Sequence, residues 1–361
     1  MGSLLGKISS VFRNADVDAI VLANTMSRNS NFLYLTGFTS GIFESTFLVV
    51  DTDGAELITS PLEYETALQQ RTTGLSVIEP PEKGYERFVV AELQKRLRGK
   101  KVGMDANYLP VNMYTMLKSR TGARLTDVGN AFTKAREIKG ADEIAKIRKA
   151  NRLILRVLDE IGDRMEMGMT ELQLAANVDY LMKEHGAQGP SFSTIVCFDE
   201  NAALPHHAPG SAKLKENAVV LIDCGAIVDN YCSDVTRTFF YKAERSSKKY
   251  RTINSMMDTV KEAQEIALDH MVPGALWNDT QEAVTRHIDR ASGGAYRGRF
   301  IHGFGHPLGV DVHDPWSAGK DKLRFKKDMV FSDEPGIYLT GFGGVRIEDD
   351  VIISGKRASR I

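Results

Sequence analysis

The stretch Ala218-Val219-Val220-Leu221-Ile222-Asp223-Cys224-Gly225-Ala226-Ile227-Val228-Asp229-Asn230-Tyr231-Cys232-Ser233-Asp234-Val235-Thr236-Arg237-Thr238 reads as two strands joined by a turn. An apolar run leads into Asp223, Gly225 follows it, and β-branched residues resume after Asp234. If the chain turns near Val228-Asp229, Asp223 and Asp234 fall symmetrically about the turn, opposite each other on antiparallel strands. Residues so opposed share one face, with Cβ atoms roughly 4.5–5.5 Å apart. Two like charges there repel unless a cation lies between them.

The same pattern recurs downstream. Glu334 and Glu348 are symmetric about Gly341, inside the turn-forming Thr340-Gly341-Phe342-Gly343-Gly344. Two hairpins would each present a pair of acids, and four converging carboxylates are prohibitively costly without compensation. Two divalent ions would neutralise them, at the roughly 3.5–4 Å separation usual for such pairs.

Histidine placement adds a second signal. Of the eight histidines, five lie in two short clusters: His206-His207, and His302, His306 and His313. Surrounding Gly and Pro assign these to loops; Gly303 and Gly305 argue against a helical His-x-x-x-His zinc site. His185, His270 and His287 fall on expected helices and read as surface or half-buried residues. Oxygen-rich ligation with one imidazole and no thiol suits Mn, Co or Zn. Taken singly, each piece has an ordinary explanation: Asp after a strand as a turn residue, Glu334-Pro335-Gly336 as a turn, Glu348-Asp349-Asp350 as a solvated acid run. Their conjunction does not.

Outward from this core, the strand-like runs Ala218–Asp223, Thr236–Tyr241, Met329–Asp333 and Val345–Ile353 alternate with long helices near Lys248–Met271 and Thr280–Ala291. That implies an α+β domain with a mostly antiparallel sheet. Before it, the strands Ala19–Leu22, Phe47–Val50 and Lys101–Met104 alternate with helices Pro61–Gln70 and Glu86–Leu97, as in a small α/β layer. A long amphipathic helix spans Ala141–Ile161, with Ile144, Ile147, Ile154, Leu158 and Ile161 on one face. Thr170 and Gln173 form a capping-box pattern opening the next. The boundary falls within 127–140, giving domains 1–135 and 136–361.

Composition narrows the class. The 361 residues carry 46 Lys plus Arg against 47 Asp plus Glu, a formal net charge of -1, so nothing electrostatic points to nucleic acid or an anionic membrane as partner. At 42% hydrophobic the chain can bury a core. Cys197, Cys224 and Cys232 are too few and scattered for a disulfide scaffold and fit a reducing cytoplasm. The opening residues show no secretory h-region, Gly6 stands where myristoylation wants Ser or Thr, and no apolar run nears the ~20 residues of a membrane span. A cytoplasmic protein is expected.

Asp-x-Gly, Ser-Asp-x-Thr-Arg-Thr, His-Gly-x-Gly-His-x-x-Gly-x-Asp-x-His, Glu-Pro-Gly-Ile-Tyr and Val-Arg-Ile-Glu-Asp together resemble the aminopeptidase P and prolidase branch of the pita-bread metallopeptidases. Asn31-Phe32-x-Tyr34-Leu35-Thr36-Gly37-Phe38 resembles a segment of that family's N-terminal domain, so the likeness covers essentially the whole chain. It implies a creatinase-like α/β domain, then a pita-bread catalytic domain with a curved, mostly antiparallel sheet, in a homodimer. It implies two divalent metal ions held by Asp223, Asp234, His306, Glu334 and Glu348. Asp234 and Glu348 bridge both ions, Asp223 serves one, and His306 with Glu334 serves the other. It places His206, His302 and His313 along the substrate site and Arg346 beside the bridging Glu348.

The implied reaction is hydrolysis of Xaa-Pro bonds, in dipeptides or in peptides with proline second, by a metal-bridging hydroxide. Glu334 serves as acid/base, and His302 and His313 steady the substrate and the developing oxyanion. The proline preference comes from the resemblance alone. Asn230 replaces a common glycine, and Pro307 follows the metal histidine where other side chains are usual. No arginine follows His313 in Asp314-Pro315-Trp316-Ser317, where dipeptidase-type members use one to grip a free C-terminus, which tilts the expectation toward longer substrates. The chain ends earlier than relatives that continue into a return strand, consistent with a naturally short or trimmed terminus. Competing readings are a non-catalytic pita-bread peptide- or protein-binding module and a metal-independent creatinase-type hydrolase; five filled ligand positions count against both. A methionine aminopeptidase would leave the N-terminal domain without a role.

Overall fold

A computed structural model describes residues 2–25, 28–317, 319 and 322–361. It divides into two compact units, one ending at Ala141 and the other Asp142–Ile361. The first contains helices α1 (Leu4–Phe12), α2 (Ser30–Thr36), α3 (Pro61–Gln69), α4 (Tyr85–Leu97), α5 (Val111–Arg120) and α6 (Gly129–Glu137). They accompany β1 (Ala19–Asn24), β2 (Thr46–Val50), β3 (Ala55–Ile58), β4 (Leu75–Ile78), β5 (Lys101–Met104) and β6 (Arg124–Asp127). These strands make one mixed sheet in the order β4-β3-β2-β1-β5-β6. Strands β1 and β2 are buried along their whole length, the continuous apolar pattern of a covered sheet. On α4 the spacing of Val89, Leu93 and Leu97 puts all three into that core.

The second unit opens with α7 (Ala141–Glu160) and α8 (Glu171–Glu184), and the Thr170–Gln173 capping box is formed in both directions. Its strands are β7 (Gly189–Pro190), β8 (Ile195–Phe198), β9 (Ala218–Cys224), β10 (Ala226–Val228), β11 (Tyr231–Cys232) and β12 (Val235–Tyr241). After α9 (Lys248–His270) and α10 (Trp277–Arg290) come β13 (Val330–Asp333), β14 (Gly336–Leu339), β15 (Gly343–Arg346), β16 (Asp349–Ile353) and β17 (Ala358–Arg360). Every pairing among these strands is antiparallel. Helices α9 and α10 cover one core with Met256, Val260, Trp277, Val284 and Ile288. Helices α7 and α8 contribute Ile154, Val157, Leu174, Val178 and Leu181 to another.

Two details differ from the sequence reading. The first hairpin turns at Asp229-Asn230, both with positive φ (49° and 70°), one residue beyond Val228-Asp229. Such a two-residue loop matches the twist of the flanking strands, and Asp and Asn tolerate the left-handed region. The register then sets Asp223 opposite Thr236 rather than Asp234. Extending that register makes Asp234 a diagonal neighbour of Asp223 on the same face, at a spacing of roughly 7–8 Å. Secondly, Val345–Ile353 is not one strand. β15 pairs with β14 and β16 with β13 and β17, and Glu348 lies in the break between them.

The second hairpin has the register expected from its symmetry about Gly341. Leu339 faces Gly343, Gly336 faces Arg346, and beyond the break Asp333 faces Asp349. Glu334 and Glu348 occupy the matching gap, and Glu348 N donates to Thr236 O at 3.1 Å, joining the two hairpins.

Candidate metal centre and active site

The hairpins and the histidine loops line a cavity of about 430 Å³ in the second unit. All nine site residues expected from the sequence border it: Asp223, Asp234, His306, Glu334, Glu348, His206, His302, His313 and Arg346. Phe192, Ile195, Pro205 and Trp316 supply its apolar wall. Glycine makes the close approach possible at Gly225, where a Cβ would sit 1.9 Å from Ser233 O and 2.1 Å from Ser191 Oγ.

Ligand atoms of Asp234, His306 and Glu348 all lie within 4.8 Å of one another. His306 Nε2 is 3.4 Å from Asp234 Oδ2 and 3.6 Å from Glu334 Oε1. Its Nδ1 is 3.1 Å from Pro307 O, which can only accept, so Nδ1 carries a proton and Nε2 is the ring atom turned to the acids, free to serve as a ligand atom. Asp223 stands apart from this trio: its Oδ2 accepts from Arg346 Nη2 at 2.6 Å, while its Oδ1 is buried without a hydrogen-bond partner.

Burial raises the pKa of Asp234 and Glu348 well above the ordinary carboxylate value, and neighbouring acids push in the same direction, Asp223 foremost for Asp234 and Asp234 for Glu348. Asp223 is also raised by burial, with Arg346 opposing. An orphaned buried carboxylate oxygen, three mutually repelling buried acids and one imidazole lone pair make a donor set that fits hard or borderline divalent cations.

A hydrogen-bonded frame surrounds these acids. Thr236 Oγ1 accepts from Arg346 Nε at 3.1 Å and donates to Glu348 Oε2 at 2.6 Å. Arg346 Nη1 donates to Tyr338 Oη at 2.9 Å, and Tyr338 Oη in turn lies 2.7 Å from His302 Nε2. Arginine cannot accept, so the tyrosine proton goes to His302, whose Nδ1 faces Gly303 O at 2.8 Å. Burial lowers the His302 pKa and pushes Tyr338 up to about 12, consistent with a neutral pair. Both nitrogens of His302 are therefore engaged by the protein. His313 is exposed, with its ring centroid 4.1 Å from that of His306, and His206 is also exposed. His207, next to His206, is bonded elsewhere: its Nε2 lies 2.8 Å from the buried Glu171.

Sequence reasoning left Thr236, Tyr338 and Asp350 unassigned. The first two stand inside quoted motifs, at Ser-Asp-x-Thr-Arg-Thr and Glu-Pro-Gly-Ile-Tyr. Asp350 Oδ2 accepts from Asp234 N at 3.3 Å and Asn151 Nδ2 at 2.8 Å, the latter contact carrying no local sequence signal.

A two-unit chain with an antiparallel, acid- and histidine-lined cavity in its second half has the architecture of a pita-bread metallopeptidase. Residues 145–355 match metallopeptidase family M24 and residues 5–138 the creatinase/prolidase N-terminal domain, and the chain belongs to that family. It is 29% identical over 368 residues to an Xaa-Pro dipeptidase of Pyrococcus horikoshii, covering 100% of this chain and 97% of the relative. Among solved structures, an Xaa-Pro dipeptidase from Bacillus anthracis superposes with a TM-score of 0.85 at 25% identity, over 99% of this chain and 96% of that one. An X-Pro aminopeptidase from Thermotoga maritima does so at 0.85 and 26%, over 97% and 96%. The chain is thus a metal-dependent peptidase.

Proposed function

We propose that the chain hydrolyses the bond preceding proline, in Xaa-Pro dipeptides or peptides with proline second, with two divalent ions, Mn, Co or Zn, held by Asp223, Asp234, His306, Glu334 and Glu348. The observation carrying this reading is the meeting of Asp234, His306 and Glu348 within 4.8 Å, with Asp223 and Glu334 lining the same cavity. Such ions, when bound, lower the pKa of water toward neutrality and polarise a carbonyl.

The residues of the chain do the rest. Arg346 and Thr236 fix the directions of Asp223 and Glu348, so these carboxylates are oriented before anything binds. Glu334 lies 3.6 Å from His306 and 3.8 Å from His302 at the cavity edge, where its carboxylate takes the proton released by the attacking water. It passes that proton to the prolyl nitrogen, which leaves as an amine. The proline ring packs on Phe192, Ile195, Pro205 and Trp316, which exclude water, while His206 and His313 offer ring nitrogens to the peptide.

Among the described cavity residues Arg346 is the single Lys or Arg, and its donors are engaged by Asp223, Thr236 and Tyr338. A free substrate C-terminus thus finds no ready partner there, so peptides longer than two residues are the better substrates. The reading includes a cytoplasmic homodimer, supported by the family resemblance and by three buried cysteines outside any disulfide. Among the described residues no helix is long and apolar enough to cross a membrane.

The test compares Ala-Pro with Ala-Pro-Ala as substrates of the metal-stripped chain resupplied with Mn, Co or Zn. Metal-dependent release of alanine, faster from the tripeptide, is expected. Cleavage of Ala-Pro alone would reverse the length preference, and cleavage of neither would leave a non-catalytic binding module.

A further inference from the structure

The segment from His302 to Leu308 carries two cavity histidines and two glycines, yet its backbone is held on both edges. On one edge it pairs with β13 and its extension: Glu334 N donates to Phe304 O at 2.8 Å, Ser332 N to His306 O at 2.8 Å, and Leu308 N to Val330 O at 3.0 Å. Gly305 is pressed so tightly there that a Cβ would lie 2.0 Å from Ser332 O.

The other edge is met by two side chains of α10. Gln281 accepts from Phe304 N at 2.7 Å and donates to His302 O at 3.3 Å, spanning the glycine between them. Trp277 Nε1 donates to Gly305 O at 3.1 Å. The peptide plane joining Gly305 to His306 is therefore pinned from both sides, since His306 N donates to Ser332 Oγ at 3.1 Å. The Trp277 ring also stacks on Phe304, with centroids 5.2 Å apart and planes at 27°. Residues 277 and 281 are one turn apart on one helix face, and neither lines the cavity.

We propose that Trp277 and Gln281 are positioning residues for the two histidines: Trp277 fixes the peptide from which His306 projects, Gln281 the one from which His302 projects, and together they set the metal affinity of the site. The inference rests on the metal-site reading above. A loop with glycines at 303 and 305 has backbone freedom to lose, and side-chain clamps remove it before the ion arrives. Partners one step behind a metal ligand typically change affinity about 10- to 100-fold when removed.

The test is calorimetric titration of Mn²⁺ into the metal-stripped full chain, with thermal midpoint, kcat and KM measured alongside. The variants are Trp277→Phe, which keeps a ring against Phe304 but loses the donor, Gln281→Met, which loses both bonds to the loop together with the one to Thr285 Oγ1 on its own helix, and the milder Gln281→Glu, which keeps an acceptor for Phe304 N alone. Ile288→Val, a buried α10 residue facing the core, controls for general loosening. Trp277→Phe and Gln281→Met should weaken Mn²⁺ binding about 10-fold or more and lower kcat more than they change KM, with Gln281→Glu intermediate. Ile288→Val should lower the midpoint and leave Mn²⁺ affinity alone. Wild-type affinity and kcat in Trp277→Phe and in both Gln281 variants, or affinity that merely follows the midpoint across all four, overturns the proposal. A wild-type chain that takes up no Mn²⁺, Co²⁺ or Zn²⁺ overturns the metal-site reading itself.

Discussion

Arg346 Nη2 lies 2.6 Å from Asp223 Oδ2 at a site where the arginine is 3% and the aspartate 8% exposed. Removing one partner of a buried ion pair typically costs about 3–5 kcal/mol, because the other charge is left uncompensated. Arg346→Met should therefore lower the unfolding free energy of the metal-free chain by about 3 kcal/mol or more, read from urea titration. Arg346→Lys keeps the charge without the planar fork and should cost less. An unchanged urea midpoint in Arg346→Met would show that the pair contributes nothing net.

Asp234 and Glu348 present the opposite case, acids whose neighbours disfavour their charge. Asp234→Asn keeps the shape and removes one of the repelling charges. The metal-free variant should melt higher than wild type at pH 8, while Mn²⁺ no longer raises its melting point and turnover falls to background. Such opposition between stability and activity is expected where a site is built to hold a ligand. Retained metal-dependent turnover in the Asn variant would remove Asp234 from the ligand set.

Those raised values also fix the sign of a pH effect. Burial lifts Asp350 from the ordinary 3.8 to about 7, and Asp234 and Glu348 are raised as well. Between pH 4 and 7 these buried acids hold more protons in the folded, metal-free chain than in the unfolded one, so their contribution to stability falls as pH rises, against an opposing contribution from His302 and His313, whose pKa values burial lowers. In EDTA the thermal midpoint should be lower at pH 8 than at pH 5. Saturating Mn²⁺ should narrow or reverse the difference, because metal binding competes with protons. A midpoint in EDTA that rises from pH 5 to 8 would contradict the picture.

How much of this was legible in the sequence depended on what fixed each feature. The Glu334–Glu348 register was readable because a glycine-rich turn centres the hairpin, and the observed pairing of Leu339 with Gly343 follows from it. The partner of Asp223 moved by two residues, from Asp234 to Thr236, because Asp229 and Asn230 together form the loop, one residue further on, and no glycine marks the turn. The error left both aspartates on one face, since a diagonal neighbour keeps the orientation of an opposed one. The roles of Trp277 and Gln281 were invisible, since helix residues contacting backbone twenty-odd positions away leave no local pattern.

Two glycines should separate close approach from conformational freedom. At Gly305 an added Cβ would fall 2.0 Å from Ser332 O, a backbone atom of β13 whose neighbouring Ser332 N donates to His306 O, so it cannot give way cheaply. Gly305→Ala should cost at least about 2–3 kcal/mol, as overpacking against fixed backbone does, and should weaken Mn²⁺ binding by displacing His306. At Gly341 the constraint is φ of +75° with nothing within 4 Å. Asn tolerates that region, so Gly341→Asn should cost under about 1 kcal/mol and leave metal affinity and turnover unchanged. Urea unfolding and Mn²⁺ titration of the two variants decide the matter: equal losses in both would mean that close packing of the His302–His306 loop against β13 does not set the site.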